Sequence, residues 1–525
     1  MTTVWLVVVL PTNPASSPRA RDLKRPSNRA RMRRGSDPPA VASFRVRVTA
    51  EAARRFLVAR HFLAPARSLE GGPDAVLEVF HKLGSIQFDP LAVAGRSHDL
   101  VLHARVGDYD PDWCDALYER REIFEAYNKG LSLVPSSELP SFRARLSRSA
   151  PQVLDENAEV AERVLERIRA EGPLSSLDFE RERGPTTDWF GMPTNAVRAV
   201  LEAYAATGLL GLARRDGNRR YYDLIERLLP ADVIAHDLPL REQLRHRLLS
   251  RYRAHGLLGV GGGGDIFGGL GAAKPDPRWP DSPGRNALRA ELVELDELVP
   301  VDVEGVRGKR LVVREDVGLL EAPPEPPPSV AFLPPFDPLV WDRGLLGSLF
   351  GFDYVWELFL PPAKRRWGWY VLPIVFRDRF VGRIEPRIDR DRARVEVLGV
   401  WWEDDFAPRR AEGFVDAMRG ALGAYLRLRA RAASSGRPTS QRRSGSSAEL
   451  RPGQAVPVRR PAAARRPEPS GRRCWTSRSG AQTSTGCSRW GSASVVTWRR
   501  AASDPVSAGR GVISSAVADI IGIWR

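Results

Sequence analysis

The stretch NAVRAVLEAYAATGLLGLARRDGNRRYYDL, residues 195–224, decides the fold. Its first half has apolar residues at helical spacing, Asn195 is a favourable N-cap, and Gly208 is a favourable terminator. Directly afterwards, residues 209–214 and 219–223 alternate around Asp216-Gly217, a pattern typical of a β-hairpin. A helix followed at once by a hairpin is the closing half of a winged helix, a DNA-binding arrangement.

The residues before this stretch supply the other helices of the same domain. Residues 160–169 have helical periodicity, Gly172-Pro173 breaks it, and Ser175 or Ser176 is placed to cap a short second helix. Three helices and a hairpin therefore predict a winged-helix domain over residues 151–235.

Similar patterns flank this domain. We predict an N-terminal helical or winged-helix unit over residues 46–150 and a second winged-helix-like domain over residues 236–321. The first has predicted helices at 49–61, 74–83 and 111–119. The second has a basic helical segment at 241–256, a helix at 286–298, and strands at 299–303 and 309–313.

The last folded region is predicted to be rich in strands. Residues 322–335 form a Pro-rich linker that we expect to contain no element. Strand-like segments and a closing helix follow, at residues 356–362, 367–376, 379–388, 393–402 and 408–431. The predicted fold class is α+β, with tandem winged-helix domains followed by a C-terminal α+β domain at 322–432.

The net charge of +16 belongs to the ends of the chain. Residues 1–45 contribute +7 and residues 437–525 contribute +12, which leaves −3 for residues 46–436. Both ends, 1–45 and 433–525, are rich in Pro, Arg and Ser without apolar periodicity and are predicted to be disordered. They are either nucleic-acid-binding arms or stretches without biological meaning, because 74 Arg against 6 Lys indicates a GC-rich gene.

Several function classes are disfavoured. The apolar run Val4–Leu10 is too short to span a bilayer and lacks the marks of a signal peptide, so a cytoplasmic protein is expected. Three cysteines without a CxxC pair and seven scattered histidines give no metal motif, and we predict no metal and no cofactor. The glycine-rich segment 259–271 contains GxGxxG, but it follows no strand and is predicted to be a loop.

The segment GSIQFDPL, residues 84–91, is the first candidate site. In an extended backbone Gln87 and Asp89 project to one side while Ile86 and Phe88 anchor the other, and Pro90 favours that backbone. An amide and a carboxylate would then stand together on an apolar ledge. Spacing alone equally allows Asp89 to cap the following turn.

The segment 364–370, KRRWGWY, is a second candidate. Its cations and aromatic rings could grip phosphates and stack on bases, which makes Lys364, Arg365, Arg366, Trp367 and Trp369 candidate DNA-binding residues. A strand with buried aromatics and solvated cations explains the same pattern.

Three blocks in order, residues 85–111, 219–230 and 335–390, resemble the YcaQ-like winged-helix DNA glycosylases, which include the AlkZ branch. The resemblance covers roughly residues 46–430. It implies hydrolysis of N-glycosidic bonds of alkylated purines and unhooking of interstrand crosslinks. The family's Gln-x-Asp motif falls on Gln87 and Asp89, which the resemblance makes the catalytic residues.

One part of the chain departs from the family's pattern. Where relatives often have Tyr-Trp-Ala-His, this chain has Ala126, Tyr127, Asn128 and Lys129, so a histidine that could assist is missing. We therefore keep two hypotheses, a DNA glycosylase and a non-catalytic winged-helix regulator. Either would be a monomer that binds double-stranded DNA, damaged in the first case, in the cytoplasm at the nucleoid.

Overall fold

The computed structural model describes residues 5–8, 46–146, 150–179, 185–187, 193–261, 266–275, 283–389 and 394–434, and these form an α+β fold. The helices are α1 (Ala50–Arg60), α2 (Pro73–Leu83), α3 (Ser97–His103), α4 (Pro111–Glu119), α5 (Ala150–Glu156), α6 (Ala158–Glu171), α7 (Ala196–Thr207), α8 (Ile225–Leu228), α9 (Ala231–Ala235), α10 (Leu240–His255), α11 (Arg285–Glu294), α12 (Val317–Glu321), α13 (Arg343–Phe350) and α14 (Phe414–Ser434). The strands are β1 (Trp5–Val8), β2 (Val46–Val48), β3 (Ile86–Gln87), β4 (Ile123–Tyr127), β5 (Leu131–Pro135), β6 (Pro185–Thr187), β7 (Pro193–Asn195), β8 (Leu210–Asp216), β9 (Arg219–Leu224), β10 (Leu258–Gly259), β11 (Leu298–Val303), β12 (Arg310–Val313), β13 (Val330–Phe332), β14 (Leu372–Phe376), β15 (Arg379–Asp389) and β16 (Arg394–Trp402).

One arrangement occurs three times along the chain, and we call each copy a hairpin unit. A helix ends at a glycine with positive φ, Gly84, Gly172 or Gly256, after which the chain pairs briefly with the second strand of a later antiparallel hairpin. In the first unit β3 pairs with β5 of the hairpin β4–β5, and in the third β10 pairs with β12 of the hairpin β11–β12. In the second unit a single bridge joins Leu174 to Tyr222 of the hairpin β8–β9.

Helix starts follow the predicted caps. The side chains of Thr49, Asp110 and Asn195 accept hydrogen bonds from the backbone N–H groups of Ala52, Asp112 and Arg198, at 3.1, 3.0 and 2.8 Å. Each bond satisfies one of the N–H groups that the first helical turn leaves without a partner. The predicted helices α1, α4 and α7 are thereby confirmed.

The C-terminal region is a five-stranded sheet in the order β1-β16-β15-β14-β13, with α14 packed against it. The first hairpin unit shares one hydrophobic core with this sheet. That core contains Phe80 and Leu83 of α2, Leu372 and Ile374 of β14, and Leu422 of α14. The segment that follows α2 is consequently held against the C-terminal region.

Buried ion pairs also fix the first hairpin unit to later parts of the chain. The guanidinium of Arg105 donates to both carboxylate oxygens of Asp337, at 2.8 and 3.0 Å, and both side chains are fully buried. Lys82 at the end of α2 donates to Asp316 at 2.8 Å, and Arg60 of α1 pairs with the same carboxylate. Removing one partner would leave a buried charge uncompensated, which makes these contacts costly to break.

The structure differs from three sequence-based expectations. The Pro-rich segment 322–335 contains β13, because Val330–Phe332 pairs with β14 and fills a gap at the sheet's edge. Residues 356–362, predicted as a strand, instead form 3₁₀ turns at Glu357–Phe359 and Pro362–Lys364. In place of a capped second helix, residues 175–179 form a turn in which Asp178 bonds to Ser175.

The two tails are largely outside the described residues. Of the N-terminal extension, residues 1–45, the structure describes β1, which lies parallel to β16; the C-terminal tail is described up to residue 434, as the end of α14. The described parts of the glycine-rich segment 259–271 are bends and turns after the two-residue strand β10. None of the described helices is long and apolar enough to cross a membrane.

Candidate active site

The Gln-x-Asp motif lies where the chain leaves α2. Gly84 ends the helix in the left-handed region at φ 70°, which favours glycine, and Ile86 is fully buried in the core. Gln87 is paired with Ser132 across β3 and β5, and the N–H of Phe88 donates to the carbonyl of Leu131 at 2.8 Å. The predicted extended backbone is confirmed over the first half of the motif.

The Gln87 side chain lies against the turn of the hairpin β4–β5. A Cβ atom added to Gly130 would stand 3.0 Å from Gln87 Nε2, so this glycine makes room for the amide. Gln87 Oε1 is buried and accepts no hydrogen bond from any described residue. The amide is thus held by packing while its oxygen stays available.

The carboxylate of Asp89 is 6% exposed, and its two oxygens have different surroundings. Oδ1 accepts the N–H of Leu91 at 3.0 Å, which is the turn-capping role that spacing alone allowed. Oδ2 is buried and has no hydrogen-bond partner among the described residues. Burial raises the pKa of Asp89, and the bond from Leu91 opposes that rise only in part.

Two buried hydroxyl groups belong to the same neighbourhood. Ser97 Oγ and Tyr370 Oη are both enclosed without a hydrogen-bond partner among the described residues. Burial raises the pKa of Tyr370 well above its usual value, and the negative charge of Asp89 raises it further. Tyr370 therefore remains a neutral hydroxyl within electrostatic range of the Asp89 carboxylate.

The hairpin β8–β9 of the second unit covers the motif. The guanidinium of Arg215 lies 3.9 Å from the centre of the Phe88 ring, and it is fixed by Glu125, with one bond of 2.7 Å. At the tip of the hairpin, Asn218 Nδ2 donates to the carbonyl of Pro90 at 3.4 Å. The motif is accordingly braced by a segment more than a hundred residues away in sequence.

A histidine that sequence reasoning missed stands beside the motif. His98 of α3 stacks on Phe88 with ring centres 5.5 Å apart. Burial lowers the pKa of His98 to about 4, so the imidazole is neutral at neutral pH. Its closeness to Phe88 depends on how α3 packs, and no spacing rule in the sequence indicates it.

The position where relatives often have histidine is occupied by Asn128. Its Nδ2 donates to Ser85 Oγ at 2.9 Å and its Oδ1 accepts from Arg251 of α10. Asn128 is fully buried, and it connects the start of the motif to the third hairpin unit. Its neighbour Lys129 lies 5.4 Å from the centre of the Trp341 ring.

The predicted DNA-binding residues occupy a separate surface segment. Lys364, Arg366 and Trp369 are exposed, whereas Arg365 and Trp367 are half-buried. Tyr370, the next residue, turns inward toward Asp89, so the basic and aromatic segment adjoins the motif without being part of it. The described residues contain no group of three or more His, Cys, Asp or Glu side chains that could hold a metal ion.

Comparison with known proteins identifies the family. A family model for AlkZ-like DNA glycosylases matches residues 80–428, well over half of the chain. The chain belongs to the AlkZ-like DNA glycosylase family. Among solved structures, that of DNA glycosylase AlkZ from Streptomyces sahachiroi is similar at 19% sequence identity, with a TM-score of 0.45, over 73% of this chain and 98% of that one.

Proposed function

We propose that this AlkZ-like protein hydrolyses the N-glycosidic bond of N7-alkylated purines in duplex DNA, with Gln87 and Asp89 as its catalytic residues. The supporting observation is the free Oδ2 of Asp89. A buried carboxylate oxygen without a partner is costly to the fold, and such groups concentrate at functional sites. Gln87 Oε1, two residues away, shares this property.

The substrate explains why one carboxylate is enough. Ordinary glycoside hydrolysis needs a second carboxyl group to protonate the leaving group. A purine alkylated at N7 already has a positive charge and departs without that proton. Asp89 then stabilises the oxocarbenium-like sugar or accepts the proton of the attacking water, and Gln87 orients that water through its amide. No step in this scheme requires a metal ion or another cofactor.

Interstrand crosslinks fit the same site. A base tied to both strands cannot rotate fully into a deep pocket as a flipped base does. Gln87 and Asp89 lie on a short strand and the turn after it, which suits attack on a base that stays close to the helix. We therefore include crosslinked N7-alkylpurines among the proposed substrates.

We interpret the three hairpin units as winged helices that position duplex DNA over the motif. The body of the chain is weakly acidic, so contact with phosphates must be local. Lys364, Arg365 and Arg366, with Trp367 and Trp369, supply such a local basic and aromatic face. The protein would act as a monomer on chromosomal DNA, in the cytoplasm at the nucleoid.

The test is product analysis with variants. Duplex DNA containing N7-methylguanine is incubated with the full chain, with Asp89→Asn and with Gln87→Ala, and abasic sites are counted after alkaline cleavage. We expect Asp89→Asn to slow the reaction by roughly 10²- to 10⁴-fold and Gln87→Ala by roughly 10²-fold. A parallel reaction with a nitrogen-mustard crosslink tests unhooking.

Matched controls separate chemistry from folding. Asp74→Asn and Gln152→Ala make the same chemical changes at exposed positions and should leave the rate unchanged. If the unmodified chain produces no abasic sites, or if both motif variants match it, the proposal is wrong. Tight binding to one DNA sequence without any product would instead support the regulator.

A further inference from the structure

A cleft of about 430 Å³ lies beside the basic and aromatic segment, on the other side of the backbone from Tyr370. Its walls include Val93, Arg365, Trp367, Trp369 and Arg387. Apart from Val93, these side chains are aromatic or positively charged. The cleft is large enough for a small ligand, since binding pockets start at roughly 300 Å³.

Trp369 offers a ring face that the described protein does not use. The indole is 38% exposed, and within the described part of the chain it makes no ring-stacking or cation–π contact. Trp367 differs, because the guanidinium groups of Arg366 and Arg383 lie 4.3 and 4.1 Å from its ring centre and Trp401 packs edge-on. Trp367 is thus a fixed wall, and Trp369 is the available surface.

The segment is held rigid by two carboxylates. Glu357 accepts the N–H groups of residues 366, 367 and 368 at 2.7 to 3.1 Å, and Glu385 accepts those of residues 369 and 370 at 2.6 and 3.2 Å. A Cβ on Gly368 would lie 2.2 Å from Glu385 Oε2, which excludes any other residue there without rearrangement. Trp369 is therefore oriented before any ligand arrives, so binding costs little ordering.

The same bonds decide the charge of the cleft. Because five N–H groups surround Glu357 and Glu385, these buried carboxylates are compensated and do not repel an anion. Arg365 and the half-exposed Arg387 lie at the cleft, and the exposed Lys364 is next in sequence. An aromatic face within a positively charged rim matches a nucleotide, whose base stacks and whose phosphate is negative.

The cleft is near the motif. Val93 follows Asp89 by four residues, so the chain between them spans at most roughly 14 Å. The carbonyl of Val93 accepts the N–H of Ile388 at 3.0 Å, which ties this wall to β15. A nucleotide in the cleft would consequently lie within a few base steps of one at Asp89.

We propose that this cleft binds an unstacked nucleobase of the DNA strand, stacked on Trp369, next to the nucleotide that Gln87 and Asp89 hydrolyse. The inference rests on the proposed function, since it assumes DNA at the motif. A paired base presents neither face, because both are covered by its neighbours in the duplex. The cleft thus selects DNA whose stacking is already broken, as it is at a distorted or crosslinked site.

The experiment measures binding without turnover. The full chain with Asp89→Asn is titrated with a duplex that contains one bulged 2-aminopurine and with the fully paired duplex, and both anisotropy and 2-aminopurine emission are followed. We expect the bulged duplex to bind about fivefold tighter or more, with quenching of its emission. Adding Trp369→Ala should weaken binding of the bulged duplex by about 5- to 150-fold, leave the paired duplex nearly unchanged and remove the quenching.

Two further variants control for folding. Trp369→Phe keeps an aromatic face and should retain most of the preference, whereas Leu295→Ala, at an apolar side chain 56% exposed elsewhere, should change nothing. Equal weakening of both duplexes by Trp369→Ala, or no weakening, overturns the inference. Abasic products without a bulge preference would refute the cleft alone, and a bulge preference without products would refute the glycosylase proposal alone.

Discussion

The first and second hairpin units use the same backbone device with opposite treatment of one carboxylate. Asp89 follows Gly84 by five residues, and Asp178 follows Gly172 by six. Asp178 is fully partnered: its Oδ2 accepts the N–H and hydroxyl of Ser175 at 2.7 and 2.8 Å, and its Oδ1 accepts from Arg219 at 2.7 Å.

The pKa values shift in opposite directions as a result. Burial acts on both groups to raise the pKa, but the bonds from Ser175 and the charge of Arg219 lower that of Asp178 overall, whereas Asp89 has only Leu91 to oppose the rise. The comparison teaches which carboxylate serves the fold and which one stays available for a substrate. A repeated turn has kept its structural carboxylate in one copy and left the other unsatisfied.

The largest expected effect comes from removing each charge in turn. Asp89→Asn should reduce the rate of abasic-site formation by roughly 10²- to 10⁴-fold, because the reacting carboxylate is lost. Asp178→Asn should leave the rate per folded molecule unchanged. Single-turnover kinetics on N7-methylguanine duplex measure both, and a comparable loss in Asp178→Asn would remove the distinction between the two turns.

A smaller effect is expected at Gly130, which makes room for the Gln87 amide. Gly130→Ala places a Cβ 3.0 Å from Gln87 Nε2 and should move the amide by a few tenths of an ångström. We expect a loss of about tenfold in kcat with little change in KM, since misplaced positioning groups cost rate. Gly318→Ala, whose Cβ would meet nothing within 4 Å, is the control and should behave as wild type.

The smallest effect concerns stability and its pH dependence. The folded-state pKa of Asp89 lies above its ordinary 3.8, so its burial favours the protonated form, and that contribution is lost as pH rises through the raised pKa. Asp89→Asn should therefore raise Tm at neutral pH and have no such benefit below pH 3.8. The rate of the unmodified chain should rise with pH over the same range, as Asp89 ionises.

Asp178 should show the opposite sign. Its folded-state pKa is lowered, so it stabilises the fold above its ordinary 3.8, and this contribution is lost as pH falls through the lowered pKa. Asp178→Asn should reduce the free energy of unfolding by about 1 kcal/mol at neutral pH, the scale of one lost hydrogen bond. Thermal unfolding of both variants across pH checks the pair, and shifts of the same sign would contradict the comparison.

Local elements were predictable because their causes lie within a few residues. Helix starts at Thr49, Asp110 and Asn195, the glycine that ends α2, and the hairpin around Asp216-Gly217 all follow from capping and turn preferences. The expected strand at 356–362 failed for a different reason. Its neighbouring N–H groups are satisfied by Glu357 and Glu385 rather than by a partner strand, and Glu385 is 16 residues from Trp369.

The sequence by itself determined the order of helices and hairpins, the family blocks and the pair Gln87 and Asp89 as candidates. Only the tertiary structure decided that Asp89 Oδ2 is buried without a partner, that Arg215 and His98 enclose Phe88, and that Trp369 faces a cleft. The physical reason is range. Capping and turn formation act over a few residues, whereas burial, electrostatic partners and the shape of a site depend on segments that meet only when the chain is folded.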